Sequence, residues 1–349
     1  MNHISEKPVV AIAQARRFEH NDSFFLRHDS LVRRLRDYGV LAIALNGVSD
    51  RTDRGDFSTF YTFNQVARSL DRHDTPLTVH SALDLTGGIA RYAPNVSALN
   101  PLGVREIVLS KQLQYDKLRP HFGDAVPQTT IANASKDNIV SAIDSMSVDT
   151  YVIKADTDNL KAHRILIGKK DAVISQLDSL ISTMNPEKDK VVVQEYMSEV
   201  EGSYIEGISY SDDGERQIAD DPEVYNRELR VHTIDGRAIL VTGRTVPNDR
   251  SDSARDKWVY LDQNSIPSCV TDLASTVAQV IQEAARATDS YLAVDLTPDG
   301  RRVVEVNGRN IETMLPETGR PGSVIAAQVT TDALARKLVG LAHENKGTQ

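Results

Sequence analysis

Three polar residues interrupt two apolar runs in "YLAVDLTPDGRRVVEVNGRN", residues 291–310. Side chains on a strand point to opposite faces in turn. In 291–297, Leu292, Val294 and Leu296 therefore take one face and Asp295 the other. In 301–307, Val304 and Val306 take one face, Glu305 and Asn307 the other. A three-residue loop at Pro298-Asp299-Gly300, with Gly300 at positive φ, makes Asp295 and Glu305 diagonal neighbours on one face. Their Cβ atoms are then about 7 Å apart, a gap that one cation bridges through two carboxylates at about 2.1 Å each. A two-residue loop would put them on opposite faces. Oxygen donors without His or Cys select magnesium or manganese over zinc. The competing reading is a solvated sheet face of ordinary polar residues, which accounts well for Arg301 and Arg302.

The elements that must position these residues read as strands alternating with helices. "VVAIAQA" (9–15) predicts a strand, and 28–39 a helix with Leu31, Leu35 and Tyr38 on one face. Gly39 marks the helix stop, and a second strand follows at 40–45. This is the pattern of βαβ units and a mainly parallel sheet. A helix from about Gly103, a loop and a short strand come next, with a domain boundary in the loop near Asp124. "YVIKA" (151–155), "RILIG" (164–168), a helix over 170–184 and "VVVQEYM" (191–197) make a small α/β unit. "RELRVHTIDGRAILVTGRTV" (227–246) predicts a hairpin, since Asp-Gly between alternating apolar residues favours a type I′ turn. Helices follow over 270–287 and 323–342, whereas the acidic stretch 198–226 yields no assigned element.

The 349-residue chain is 40% hydrophobic and 26% charged, the composition of a globular protein with a sizeable core. A net charge of -9 with scattered lysine and arginine argues against a nucleic-acid partner. One cysteine, Cys269, excludes an intramolecular disulfide or a paired-cysteine metal site and fits a reducing cytoplasm. The apolar run in the first eighteen residues is too short for a signal peptide, and no later stretch predicts a membrane span.

The succession of Lys111, Lys154 in "YVIKA", "QEYM", "RELRVHTIDGRAILVTGR" and "AVDLTPDGRRVVEVNGR" resembles the ATP-grasp superfamily. Within it, the pattern is similar to the branch of glutathione synthetases, ribosomal-protein glutamate ligases and related peptide ligases. The resemblance runs from about Asn100 to Asn310, and its most specific part is the D…E-x-N element joined to R-E-x-R. It implies an α/β (α+β) ATP-grasp fold: an N-terminal βαβ domain (1–124), a small central lobe (125–200) and a C-terminal lobe (201–349), with ATP held between the two lobes. It implies a ligase that joins a carboxylate to an amine through an acyl phosphate, releasing ADP. The substrates would be small molecules, amino acids or a peptide, and a homodimer is compatible with this.

The resemblance also implies roles for residues. Lys111 and Lys154 would hold the nucleotide's phosphates, with Lys117 a rival for the first. Gln194, Glu195, Tyr196 and Met197 would form the hinge whose backbone pairs with adenine. Glu201 or Glu228 would accept from the ribose hydroxyls. Asp295, Glu305 and Asn307 would hold Mg2+ or Mn2+, and Arg230, Arg244 and Arg309 would surround the transferring phosphoryl group, where arginine's fork suits phosphate or carboxylate. One departure stands out. The family covers the phosphates with a Gly-rich loop after the second lysine, and "ADTDNLKAHRIL" has no glycine. Lys161, His163 or Arg164 would have to supply the charge. Two other readings stay open: a kinase for a hydroxyl acceptor on the same scaffold, and a catalytically silent nucleotide-binding protein.

Overall fold

The structure, a computed structural model, describes residues 7–14, 23–46, 79–84, 96–156, 165–182, 184–187, 189–197, 224–247, 257–261, 263–297, 299–308 and 323–346. Three sheets organise them.

The first is parallel. β1 (Val9–Gln14), β2 (Leu41–Asn46), β3 (Ser81–Asp84) and β4 (Ser97–Leu99) lie in the order β2-β1-β3-β4. Helix α1 (Ser23–Asp37) begins before the expected residue 28 and buries Leu31 and Leu35. Gly39, at φ 78°, ends it where the sequence places the stop. The parallel βαβ expectation is met.

Two helices lead out of this sheet. The single helix expected from Gly103 is divided into α2 (Leu102–Leu109) and α3 (Lys111–Phe122). Ser110 between them is extended (φ -95°, ψ 108°), and its hydroxyl accepts from the Leu113 N–H at 3.3 Å. Serine is favoured at a helix N-cap because its side chain satisfies an otherwise unpaired donor of the first turn. The break makes Lys111 the first residue of α3.

The second sheet, order β5-β8-β6-β7, is antiparallel. It contains β5 (Thr129–Asn133), β6 (Tyr151–Ala155), β7 (Leu166–Gly168) and β8 (Lys190–Glu195). Helices α4 (Lys136–Asp144) and α5 (Lys170–Ile181) cover it through Ile139, Ile143, Val173 and Leu177. Ile153 points into that core, so its neighbour Lys154 points to the face away from α4 and α5.

The third sheet has the order β11-β10-β9-β12-β13. Its long hairpin is β9 (Val224–Ile234) and β10 (Arg237–Pro247), joined at Asp235 (φ 52°) and Gly236 (φ 71°). Two positive φ values are what a type I′ turn needs, as expected from Asp-Gly. Strands β11 (Lys257–Tyr260), β12 (Tyr291–Leu296) and β13 (Val303–Asn307) complete it. Leu229, Val231, Leu292, Val294, Leu296, Val303 and Val306 pack under α6 (Ser268–Ala285), and α2 and α3 join the same core through Val104, Tyr115 and Leu118. The last helix, α7 (Ser323–Lys346), packs instead on the parallel sheet through Leu334 and Leu338.

The turn between β12 and β13 differs from expectation. The Thr297 N–H donates to Arg302 O at 2.9 Å, and the Gly300 N–H, at φ 69°, donates to Thr297 O at 2.7 Å. Leu296 then pairs with Val303, but Asp295 pairs with Glu305, so Val304 is inserted as a bulge. Two corrections follow. Asp295 and Glu305 are directly opposite, not diagonal. Val304 leaves the face assigned to it: Val303 and Val306 enter the core, whereas Val304 is half-buried beside Glu305.

Candidate active site

On β9, Leu229 and Val231 enter the core, which turns Glu228, Arg230 and His232 to the other face. Strand register extends this into a row across the sheet: Arg230 pairs with Asp295, and Asp295 with Glu305. Arg230 forks onto Asp295, Nε to Oδ1 at 2.7 Å and Nη2 to Oδ2 at 2.9 Å. The Asn307 amide donates to Asp295 Oδ2 (2.9 Å) and Glu305 Oε1 (2.8 Å). Two carboxylates and a carboxamide thus converge within hydrogen-bond reach on one face, as the alternation predicts.

Cations close the row from two other elements. The ammonium groups of Lys111, at the start of α3, and Lys154, on β6, lie 3.0 and 3.9 Å from Glu305 Oε2. Residues from three sequence regions therefore share one carboxylate. The charges tune one another. Burial alone would raise the Glu305 carboxyl, but Lys111, Lys154 and the Asn307 amide outweigh it and hold it well below the usual range. Lys111 is pulled down by burial and lifted further by Glu305, ending above an ordinary lysine. Lys154 ends below one, because burial and the like charge of Lys111 exceed the pull of Glu305. Burial pushes the Asp295 carboxyl up while Arg230 opposes it. A buried charge needs a partner, and every member of this cluster has one.

A cleft of about 220 Å³ opens beside the cluster. Its lining includes Lys154, Gln194, Glu195, Tyr196, Met197, Glu228, Arg230 and Glu305, with Val152, Ile165, Ile167 and Val304 as an apolar side. Ile165 and Ile167 are exposed there, 59% and 38%. Gln194 is only 5% exposed, and among the described residues no protein acceptor lies in good hydrogen-bond geometry to its Nε2.

The N–H groups of Glu195 and Tyr196 are already bonded to Gln128 O (2.8 Å) and Thr150 O (2.9 Å), so they are not donors for a base. The carboxylate of Glu195 accepts from the Gln128 N–H and from Arg302 at 2.9 Å. Arg302, which the competing reading of a solvated sheet face would leave in water, crosses to the second sheet. The backbone of Arg244 pairs with Glu228. The Arg244 side chain, Arg309, Glu201, Lys161, His163, Arg164 and segment 198–223 lie outside the described residues. Lys117 is exposed on α3.

Sequence reasoning missed three supporting residues. Gln114 and Tyr115, one turn after Lys111, bond the backbone of β13. Asn100, at φ 63°, accepts from Tyr291 N–H (2.7 Å) and donates to Tyr291 O and Gly308 O (2.9 Å each), joining the start of β12 to the end of β13. The Asn-Pro pair at 100–101 was a turn signal; nothing local marked the other two.

Among the described residues, no three His, Cys, Asp or Glu side chains gather as a metal site, and no helix is long and apolar enough to cross a membrane. The candidate cluster is two carboxylates and an amide. All three can offer oxygen if the amide turns over, a donor set that fits a hard divalent cation.

Neither a protein-family profile nor a curated protein sequence matches the chain. Solved structures do. D-alanine–D-alanine ligase from Bacillus anthracis complexed with ATP is similar over 98% of this chain and 100% of its own, with a TM-score of 0.60 and 13% identity. The ATP-grasp ligase PsnB complexed with minimal precursor, Mg and ADP is similar over 96% and 97%, at 0.52 and 14%. A RiPP-associated ATP-grasp ligase of Chryseobacterium gregarium, in complex with ADP and a leader and core peptide, is similar over 97% of each chain, at 0.52 and 13%. At such identities the likeness shows the fold. The chain has the mixed helix-and-sheet ATP-grasp fold over nearly its whole length.

Proposed function

We propose that this chain is an ATP- and magnesium-dependent ligase that forms an amide bond between a carboxylate and an amine, releasing ADP and phosphate. The observation that carries this reading is the meeting of Lys111, Lys154, Glu305, Asp295 and Arg230 in one cluster, of which Lys154, Arg230 and Glu305 line the cleft. Residues 1–124 would form the N-terminal domain, 125–200 the central lobe and 201–349 the C-terminal lobe, with the nucleotide between the last two.

In this reading the purine lies against Val152, Ile165 and Ile167, and the buried Gln194 amide is a donor for it. Lys111 and Lys154 exchange Glu305 for the triphosphate, a stronger anion. Glu228, buried on β9, or Glu201 takes the ribose hydroxyls. Asp295, Glu305 and Asn307 hold Mg2+ or Mn2+, which when bound supplies charge neutralisation at the phosphates. Arg230, Arg244 and Arg309 supply positive potential around the transferring phosphoryl group, where positioning and electrostatics provide most of the rate. Arg230 does so through the fork it shares with Asp295. A substrate carboxylate oxygen bonds the γ-phosphorus as ADP leaves. The amine then bonds the acyl carbon as phosphate leaves, and its proton passes to solvent.

The substrate class is a small carboxylate with an amine partner, or a peptide; the similar structures include a D-alanine–D-alanine ligase and an ATP-grasp ligase in complex with a leader and core peptide. A screen of amino-acid pairs and short acidic or basic peptides for ADP and phosphate release tests this. Equal ADP and phosphate with a new amide supports the ligase. ADP formed without phosphate would identify a kinase, and absence of ADP across the screen with nucleotide still bound would identify a silent binder.

A further inference from the structure

Among the described residues β13 is the edge of its sheet, so one row of its backbone groups has no described strand beside it. Helix α3 fills that place. Gln114, fully buried, donates from Nε2 to Val306 O at 2.7 Å and accepts at Oε1 from the Val306 N–H at 2.9 Å. Its amide thus acts as one residue of an added strand. Tyr115 donates from its hydroxyl to Val304 O at 2.7 Å. Burial pushes the Tyr115 phenol up to about 12, so this donor keeps its proton. Lys111, on the same helix, holds Glu305 between them.

These contacts fall on the bulge. A one-residue slip of an antiparallel strand carries every side chain to the opposite face. Regular pairing through the turn would set Asp295 against a different residue of β13; the insertion of Val304 sets it against Glu305. The residues pinned by α3, Val304 and Val306, flank Glu305, and Val306 lies between Glu305 and Asn307. An ordinary edge cover could bond anywhere along the strand.

We propose that Gln114 is a positioning residue that locks β13 in the bulged register on which Glu305 and Asn307 face Asp295, with Tyr115 as its second anchor. The inference rests on the reading of Asp295, Glu305 and Asn307 as cation ligands. It deepens that reading by tying the spacing between Lys111 and the carboxylates to one rigid helix.

The test measures Mn2+ binding in the presence of a non-hydrolysable ATP analogue, by electron paramagnetic resonance of free Mn2+, alongside thermal unfolding. Gln114→Met keeps the volume and loses both bonds. It should weaken Mn2+ binding about 10- to 100-fold, the range for groups that orient metal ligands. Tyr115→Phe loses one oxygen while leaving the ring in the core, and should weaken binding in the same direction by less. Loss of thermal stability with native Mn2+ affinity in folded Gln114→Met would overturn the inference, because the contact would then only cover an edge. If Gln114→Met does not fold, native affinity in Tyr115→Phe overturns it. Failure of the unsubstituted chain to bind Mn2+ with the analogue would overturn the cation site and the inference together, which separates that failure from the others.

Discussion

Arg302 on the β12–β13 turn reaches Glu195 at the end of β8, Nη2 to Oε1 at 2.9 Å, and also donates to Asp124 O at 3.2 Å. One side chain therefore ties the third sheet to the second and to the segment entering it. Both charged groups are partly solvated, 32% and 26% exposed, which limits their mutual attraction. Arg302→Ala should cost stability by about 1 kcal/mol and no more. Its larger effect should be on nucleotide affinity, because Glu195 lies in the cleft lining. Urea unfolding and calorimetric titration with ATP measure the two; an affinity unchanged beside a lowered stability would make the contact a plain structural tie.

Glu305→Gln removes one charge from the point where Asn307, Lys111 and Lys154 meet, without a change of volume. Magnesium-dependent ADP release should be lost while the far-ultraviolet circular dichroism stays native. Full turnover of this variant at low millimolar magnesium would remove Glu305 from the cation site.

Lys154 sits opposite the core of the second sheet, and Lys117 is exposed on α3. Lys154→Ala should weaken ATP binding by about 1.5–3 kcal/mol, the range for a hydrogen bond to a charged group, and Lys117→Ala should leave it near native. Calorimetry with ATP compares them directly. Equal effects would place the phosphates elsewhere.

Much of this arrangement was legible because it depends on alternation. Apolar neighbours fix which way Lys154, Arg230, Asp295 and Asn307 point, and Asp235-Gly236 fixes the long hairpin. What stayed hidden depends on backbone detail or distance. The bulge at Val304 changes no residue type, so direct opposition of Asp295 and Glu305 could not be told from a diagonal. Ser110 divides two helices that share one apolar pattern. Gln114 meets Val306 across 192 positions and Arg302 meets Glu195 across 107, separations at which a single sequence carries no pairing signal.

The row of polar residues on β9 ends in His232, which is fully buried; its Nδ1 lies 2.6 Å from the Tyr291 hydroxyl and its Nε2 3.5 Å from Thr242 Oγ1. Burial, then the nearby positive charge of Arg230, holds the imidazole well below its ordinary range. It folds neutral. Above the unfolded value near 6.5 both states lack the proton, and His232 adds no pH dependence. Below that value the unfolded chain takes a proton that the folded chain refuses, so stability falls as pH falls. Between pH 7.5 and 5.5 this should remove about 1.4 kcal/mol. His232→Gln keeps a polar side chain for Tyr291 but cannot titrate. It should be less stable at pH 7.5, since the fit of two hydrogen bonds is lost. Its further loss on acidification should be smaller than the native chain's by about that 1.4 kcal/mol, the other histidines cancelling in the comparison. Urea unfolding at the two pH values measures both slopes. Parallel slopes would show that His232 already carries its proton in the fold, and with it a second positive charge beside Arg230.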